Sequence, residues 1–367
     1  MENPNDSAIT KKPPTIVFGL DSGDYRLCEE WADKGDLPNL RKFIQRSQRR
    51  KVNNPLGFEA SSLWPSFNLG ADVDEHGQFD GFNVFDTKSY TRRRLGKKEF
   101  TGTYFWQHLS DLGKRVLVVD PPYVPVIEGI NGIQVIDWMT HDVRTGDNWL
   151  QTSPPELAQA ITQDFGVNPF SKSKISCPSD EIRPNTEQAI RGMCDSLKTR
   201  IRAKIEFLKQ QLSQKKWDCC YCVYHELHDM GYMCWHVHDT AHADHDPEIR
   251  EIVGDPLYEI YLAFDQAFGE LLDVLDKDVS IHVFCSHGMG EERTASFFLD
   301  NLLLQLEMEY RPLLGLRNSW IRKLLQLAGK NTEHYRPVIS LRNTASRLWK
   351  RLTCKSNNQS RNDRPYR

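Results

Sequence analysis

Four short apolar runs, separated by stretches with helical spacing, constrain most strongly what this chain can fold into. Thr15–Leu20 (TIVFGL), Lys114–Asp120 (KRVLVVD), Trp217–Val223 and Ser280–Cys285 (SIHVFC) are rich in β-branched and apolar residues and read as buried strands. Ile190, Met193, Leu197, Ile201, Ile205, Leu208 and Leu212 recur at steps of three and four, which predicts an amphipathic helix. Ile260, Ala263, Phe264, Ala267, Phe268, Leu271 and Leu272 predict a second one within Pro256–Leu275. Another helical stretch follows the first strand and resumes at Leu37–Ile44 after a proline break. Strands alternating with helices predict βαβ units, hence an α/β fold with a mainly parallel central sheet flanked by helices.

With 367 residues the chain can bury a large core. Residues 1–13 read as a polar tail, 14–310 as the main domain, 311–353 as a basic helical segment and 354–367 as a second polar tail. The net charge of −3 provides no basic field for a nucleic-acid polymer. No apolar run reaches the roughly 18–20 residues that span a bilayer, so no membrane span is expected. The first residues, MENPNDSAITKKPP, contain no apolar stretch of the signal-peptide kind. The nine cysteines, three of them crowded at Cys219, Cys220 and Cys222, match neither a disulfide framework nor zinc-ribbon spacing. A reducing, cytoplasmic location is the expectation. The basic stretch Arg336–Arg351 reads as a solvated face or, as a weaker reading, as a contact for an acidic partner.

Three of the four strands are followed by residues that a buried strand does not need. The first runs into Asp21, the third into Glu226, His228, Asp229, His236 and His238, and the fourth into Ser286-His287-Gly288-Met289-Gly290. Ligands of open α/β sheets bind outside the carboxyl ends of the strands, so these ends are expected to converge on one cleft. Carboxylate and imidazole together suit zinc or manganese. Singly, each piece has a plainer reading: Asp21 as a turn or cap residue, the His-rich run 225–245 as a solvated loop, and His287 as a turn residue. Ser61 and Ser62, just before the apolar segment Leu63–Phe67, provide hydroxyls at an expected helix N-terminus, as nucleophile or as ordinary caps.

In chain order these segments resemble the type I phosphodiesterase/nucleotide pyrophosphatase group of the alkaline phosphatase superfamily. Gly19-Leu20-Asp21 and Leu37-Pro38-Asn39-Leu40 resemble its opening strand and helix. Trp64-Pro65-Ser66-Phe67, Gly70 and His76-Gly77 resemble the segment after its nucleophile, and Val118-Val119-Asp120-Pro121-Pro122 its central strand and proline turn. Glu226-x-His228-x-x-Gly231-x-x-x-Trp235-His236 resembles the ligand loop of one branch, E-x-H-x-x-G-H-x-x-W-H, and Ser286-His287-Gly288-Met289 that branch's form of D-H-G-M.

The resemblance implies that Asp21, His228 and His287 ligate a divalent metal, zinc first and manganese second, with His236 a weaker ligand. It implies that Ser61 or Ser62 is the nucleophile and that the substrate is a small-molecule phosphomonoester or phosphodiester. The chain departs from the pattern at Ala60, where the family carries its hydroxyl, at Tyr232 in place of a histidine, and at Ser286 in place of an aspartate. No late histidine matches the family's C-terminal ligand, since His334 stands in a different setting. One metal site, or one strong and one weak, is therefore expected rather than two full ones. Two further readings follow from the departures and from the wider superfamily: a metal-binding member without turnover, and a sulfatase-like esterase.

Overall fold

The structure, a computed structural model, describes residues 13–54, 62–78, 83–86, 91–94, 102–140, 150–172, 186–214 and 216–290. These all belong to the first of two compact units, Met1–Glu291; the second, Glu292–Arg367, lies outside the described residues, as do Ser61, His334 and the stretch 336–351.

The first strand, β1 (Thr15–Leu20), leads into α1 (Tyr25–Lys34) and α2 (Pro38–Arg46), and then the short α3 (Leu63–Leu69) and α4 (Val73–His76). Next, β2 (Asn83–Asp86) and β3 (Thr91–Arg94) pair antiparallel in a small sheet of their own. There follow α5 (Phe105–Asp111), β4 (Val116–Val119), β5 (Gly132–Ile136), β6 (Gln151–Ser153) and α6 (Leu157–Phe165). The chain continues through α7 (Glu187–Ser213), β7 (Cys219–Tyr224), α8 (Glu226–His238), α9 (Pro247–Val253), α10 (Pro256–Leu272) and β8 (Ser280–Cys285).

The main sheet has the order β6-β5-β4-β7-β1-β8 and is parallel except for the β5–β6 pair. Its strands alternate two cores. Ile16, Phe18 and Leu20 of β1, with Cys220, Cys222 and Tyr224 of β7, face the layer that contains α1, α7, α8 and α10. Val116 and Val118 of β4, with Tyr221 and Val223 of β7, face Leu63 and Trp64 of α3 and Trp106 of α5. Both faces being covered accounts for the near-continuous apolar runs in β4 and β7.

Register decides where the site lies. Leu20 at the end of β1 pairs with Tyr224 of β7 on one side and Cys285 of β8 on the other. The three strands therefore stop level, and Asp21, His225 and Ser286 leave the sheet side by side.

One contact across the helical layer is testable. The first turn of α2 begins at Leu37–Pro38 without a side-chain cap of its own. Asp265 of α10 takes that role: its carboxylate accepts from the backbone N–H of Leu40 at 2.6 Å and of Asn39 at 3.2 Å. Asp265→Ala is expected to lower stability by about 1–2 kcal/mol, the usual cost of a lost cap, in urea denaturation. A change below about 0.5 kcal/mol, the scale of ordinary surface substitutions, would show that α2 does not depend on this cap.

Of the His-rich run 225–245, most is helix, and residues 239–245 form turns. Glu226–His238 forms α8, with non-helical backbone angles only at Cys234. No helix among the described residues is long and apolar enough to cross a membrane.

Candidate metal centre

Asp21, His228 and His287 meet although more than two hundred residues separate the first from the others. One potential ligand atom from each lies within 4.8 Å of the others, and this is the one such group of histidine, cysteine or acidic side chains among the described residues. Each arrives by a different route. Asp21 follows β1 directly. His228 sits in the first turn of α8, which begins right after β7. His287 lies two residues beyond β8.

The carboxylate of Asp21 is buried and held from both sides. The Trp64 indole N–H donates to its Oδ1 at 2.9 Å, and His225 Nδ1 lies 3.3 Å from Oδ2. Trp64 reaches it because its indole ring lies on the backbone of Gly19, where a Cβ would come within 2.8 Å of the ring. That contact explains why a glycine stands two residues before the aspartate. His225 is anchored at its other nitrogen, Nε2, by the Asp120 carbonyl at 2.8 Å.

His287 Nδ1 donates to the carbonyl of Gly288 at 2.8 Å, which leaves the Nε2 lone pair turned toward Asp21 Oδ1, 3.9 Å away. This is the arrangement that a metal-ligating histidine needs, one nitrogen committed to an acceptor and the other facing the candidate site. Burial lowers the pKa of its ring below the usual imidazole range; Asp21 opposes this and the neighbouring His228 reinforces it. A ring kept neutral is one that can bind a cation. His228 Nδ1 stands 3.8 Å from Asp21 Oδ2. The imidazoles of His228 and His287 are partly exposed, so the trio opens to solvent on that side.

Two motifs that look unrelated in sequence pack on each other here. Met289, after His287-Gly288, lies against Gly231 of α8, where a Cβ would approach its side chain to 3.1 Å. A larger residue at 231 would require the Met289 side chain to give way by a few tenths of an ångström.

The departures also have places. Ser286 fills the carboxylate position with a hydroxyl that accepts from the Ser22 N–H at 2.9 Å and donates to Asp21 Oδ1 at 3.4 Å. Tyr232 stacks flat on His228, ring centroids 6.0 Å apart and planes within 2°, and is partly exposed. His236 is not part of the trio. It is buried farther along α8 with its ring 6.2 Å from that of His242, and its carbonyl accepts from His245 Nδ1. Ser62 is buried at the start of α3, two residues before Trp64. His76 is a structural clamp: Gln78 N–H donates to its Nδ1, and its Nε2 pairs with Ser66 Oγ at 2.9 Å.

The sequence reading missed the layer beneath α8. Arg200 and Lys204 of α7 are fully buried. Arg200 binds Glu226 at 3.1 Å and Asp229 at 2.6 Å, on either side of His228. Lys204 binds Glu226 at 3.2 Å and Asp120 at 3.4 Å. The available signal was two cations four residues apart beside the apolar stripe of α7, which must find carboxylates if buried.

The sequence model of the type I phosphodiesterase / nucleotide pyrophosphatase family matches residues 15–363. No curated protein sequence matches the chain. Among solved structures, the chain is similar to phosphonoacetate hydrolase from Sinorhizobium meliloti 1021 in complex with phosphonoformate: 15% identity, 80% of this chain and 62% of that chain covered, TM-score 0.49. The same hydrolase in complex with phosphonoacetate gives 14% identity, 82% and 62% coverage, and a TM-score of 0.45. The chain thus spans 62% of the length of these structures.

Proposed function

Because this chain belongs to the type I phosphodiesterase / nucleotide pyrophosphatase family, we propose that it is a metal-dependent hydrolase of small phosphomonoesters or phosphodiesters. The observation that carries this reading is the convergence of Asp21, His228 and His287 at the ends of three strands. One carboxylate and two imidazoles suit zinc first and manganese second. A bound divalent cation would supply Lewis-acid stabilisation of the phosphoryl oxygens and lower the pKa of a nearby hydroxyl.

The protein's own groups do the positioning. Trp64 and His225 hold the Asp21 carboxylate, and the Gly288 carbonyl sets the tautomer of His287. The attacking group is a serine hydroxyl, with Ser61 and Ser62 the candidates just before α3. Its oxygen bonds to phosphorus as the leaving alkoxide departs, and water then releases the phosphate. The partner is a small molecule. A cytoplasmic location agrees with every described cysteine being a free thiol.

The test is turnover of bis-p-nitrophenyl phosphate by the full chain with added zinc or manganese, against chelated protein and against p-nitrophenyl sulfate. Ser61→Ala or Ser62→Ala is expected to reduce turnover by roughly two orders of magnitude or more, whichever carries the nucleophile. Unchanged rates in both variants would remove this nucleophile assignment. Preference for the sulfate ester would favour an esterase of the sulfatase kind. Metal binding without turnover of either ester would favour a binding member of the family. Tyr232 and Ser286, which replace ligand-type side chains beside the trio, support that second reading.

A further inference from the structure

The residue after Asp21 is a serine, and its hydroxyl lies between the two imidazoles of the trio. Ser22 Oγ is 2.6 Å from His228 Nδ1 and 3.2 Å from His287 Nε2, the two ring nitrogens turned toward the candidate cation site. We infer that Ser22 Oγ is a fourth donor to the cation held by Asp21, His228 and His287. The inference rests on the reading of those three residues as a cation site.

Geometry supports it first. Four donors around a zinc ion with bonds of about 2.0 Å lie about 3.3 Å apart along the edges of a tetrahedron. The two separations that involve Ser22 Oγ, 2.6 and 3.2 Å, lie at or below that value, and the two rings stand 3.8 and 3.9 Å from one or the other oxygen of the Asp21 carboxylate. Ser22 Oγ thus adds an oxygen, from the residue next to Asp21, beside the two ring nitrogens of the trio.

The backbone supports it second. Ser22 has φ +51°, the left-handed region that serine rarely adopts and glycine adopts freely. Its N–H is fixed to Ser286 Oγ at 2.9 Å. A turn that could have used glycine instead uses a residue whose hydroxyl reaches both imidazoles. A strained position kept in this way is a pointer to function. Ser286, in the place of a carboxylate, acts through Ser22: it fixes the backbone that aims the substitute oxygen.

A purely structural reading makes the Ser22 hydroxyl a hydrogen-bonded bridge between two rings. The two readings differ in whether the side chain at position 22 bonds to the metal, which a cysteine there reports directly. Full-length wild type, Ser22→Gly and Ser22→Cys would be titrated with zinc in competition with a chromophoric chelator, then loaded with cobalt(II) for absorption spectroscopy. Glycine accepts the backbone angle, so Ser22→Gly keeps the turn while losing the oxygen. Its zinc affinity is expected to fall by at least the roughly 10- to 100-fold that follows loss of an outer-shell partner. Ser22→Cys places a sulfur at the same vertex and is expected to show a thiolate-to-cobalt charge-transfer band, which a non-ligating side chain cannot produce. Equal zinc affinity in wild type and Ser22→Gly, or no charge-transfer band in Ser22→Cys, overturns the role of Ser22 while leaving the cation site intact. A wild-type protein that binds neither zinc nor manganese overturns the site itself, and the proposed function with it.

Discussion

Replacing Arg200 with methionine is expected to lower stability by about 3–5 kcal/mol, the loss typical of removing one partner from a buried ion pair. The effect is large because the arginine serves several acceptors at once. It bonds Glu226 and Asp229 through its guanidinium and donates a third bond to the Met139 carbonyl at 2.6 Å, all in a fully buried setting. The network as it stands sets Arg200 and Lys204 against Asp120, Glu226 and Asp229. Methionine leaves one cation facing three buried carboxylates.

The two glutamate and aspartate partners are not equivalent. Burial alone would push the Glu226 carboxyl up, but Lys204 and then Arg200 outweigh it and hold its pKa below the usual range. Asp229 has Arg200 but no bond to Lys204, and burial keeps its pKa above the usual range. Asp229 is therefore the group left most exposed to the loss of Arg200. The double change Arg200→Met with Asp229→Leu restores the balance of one more carboxylate than cations and is expected to recover most of the loss. The measurement is urea denaturation of both variants. A single variant within about 1 kcal/mol of wild type, or a double variant no better than the single, would show that the pair does not hold α8 in place.

What the sequence made legible follows the strength of the local signal. β1 and β8 have the predicted bounds because each is an apolar run closed by polar residues, Asp21 in one case and Ser286-His287 in the other. Asp21, His228 and His287 were readable as a set because each follows a strand end, and the register of β1 with β7 and β8 levels those ends. β5 escaped because Gln134 interrupts it. That side chain is buried and bonds the backbone of Ile127 with both its oxygen and its nitrogen, a tertiary compensation that periodicity cannot reveal. The resemblance to a ligand loop concealed that residues 226–238 are helical; Gly231, poor for a helix, is there because Met289 packs on it. His236 lies ten residues into α8, buried beside His242 and outside the group formed by Asp21, His228 and His287. Arg200 and Lys204 left only a faint signal, two cations beside the apolar stripe of α7, because their carboxylate partners Asp120, Glu226 and Asp229 lie elsewhere in the sequence.

Asp21→Asn is expected to abolish zinc-dependent stabilisation and to lower phosphate-ester hydrolysis by roughly 10²–10³-fold, the scale of losing one preorganised group that faces developing charge. Asparagine keeps an oxygen to accept from the Trp64 indole and nearly the same volume, so the contact with Gly19 survives. What it removes is the carboxylate charge that the trio offers to a dication, the other two donors being imidazole nitrogens. For wild type, zinc at 100 times its dissociation constant is expected to add about 2.7 kcal/mol to the unfolding free energy. At the same zinc concentration the variant is expected to gain close to nothing, while without metal its denaturation remains cooperative. A chelator should bring wild type down to the variant's stability and rate, and added zinc should restore only the wild type. If Asp21→Asn keeps the zinc-dependent gain, the carboxylate serves hydrogen bonding, as with Trp64, His225 and Ser286, and the trio is a hydrogen-bonded cluster, in which case the hydrolytic reading loses the group that would bring the cation and the phosphate together.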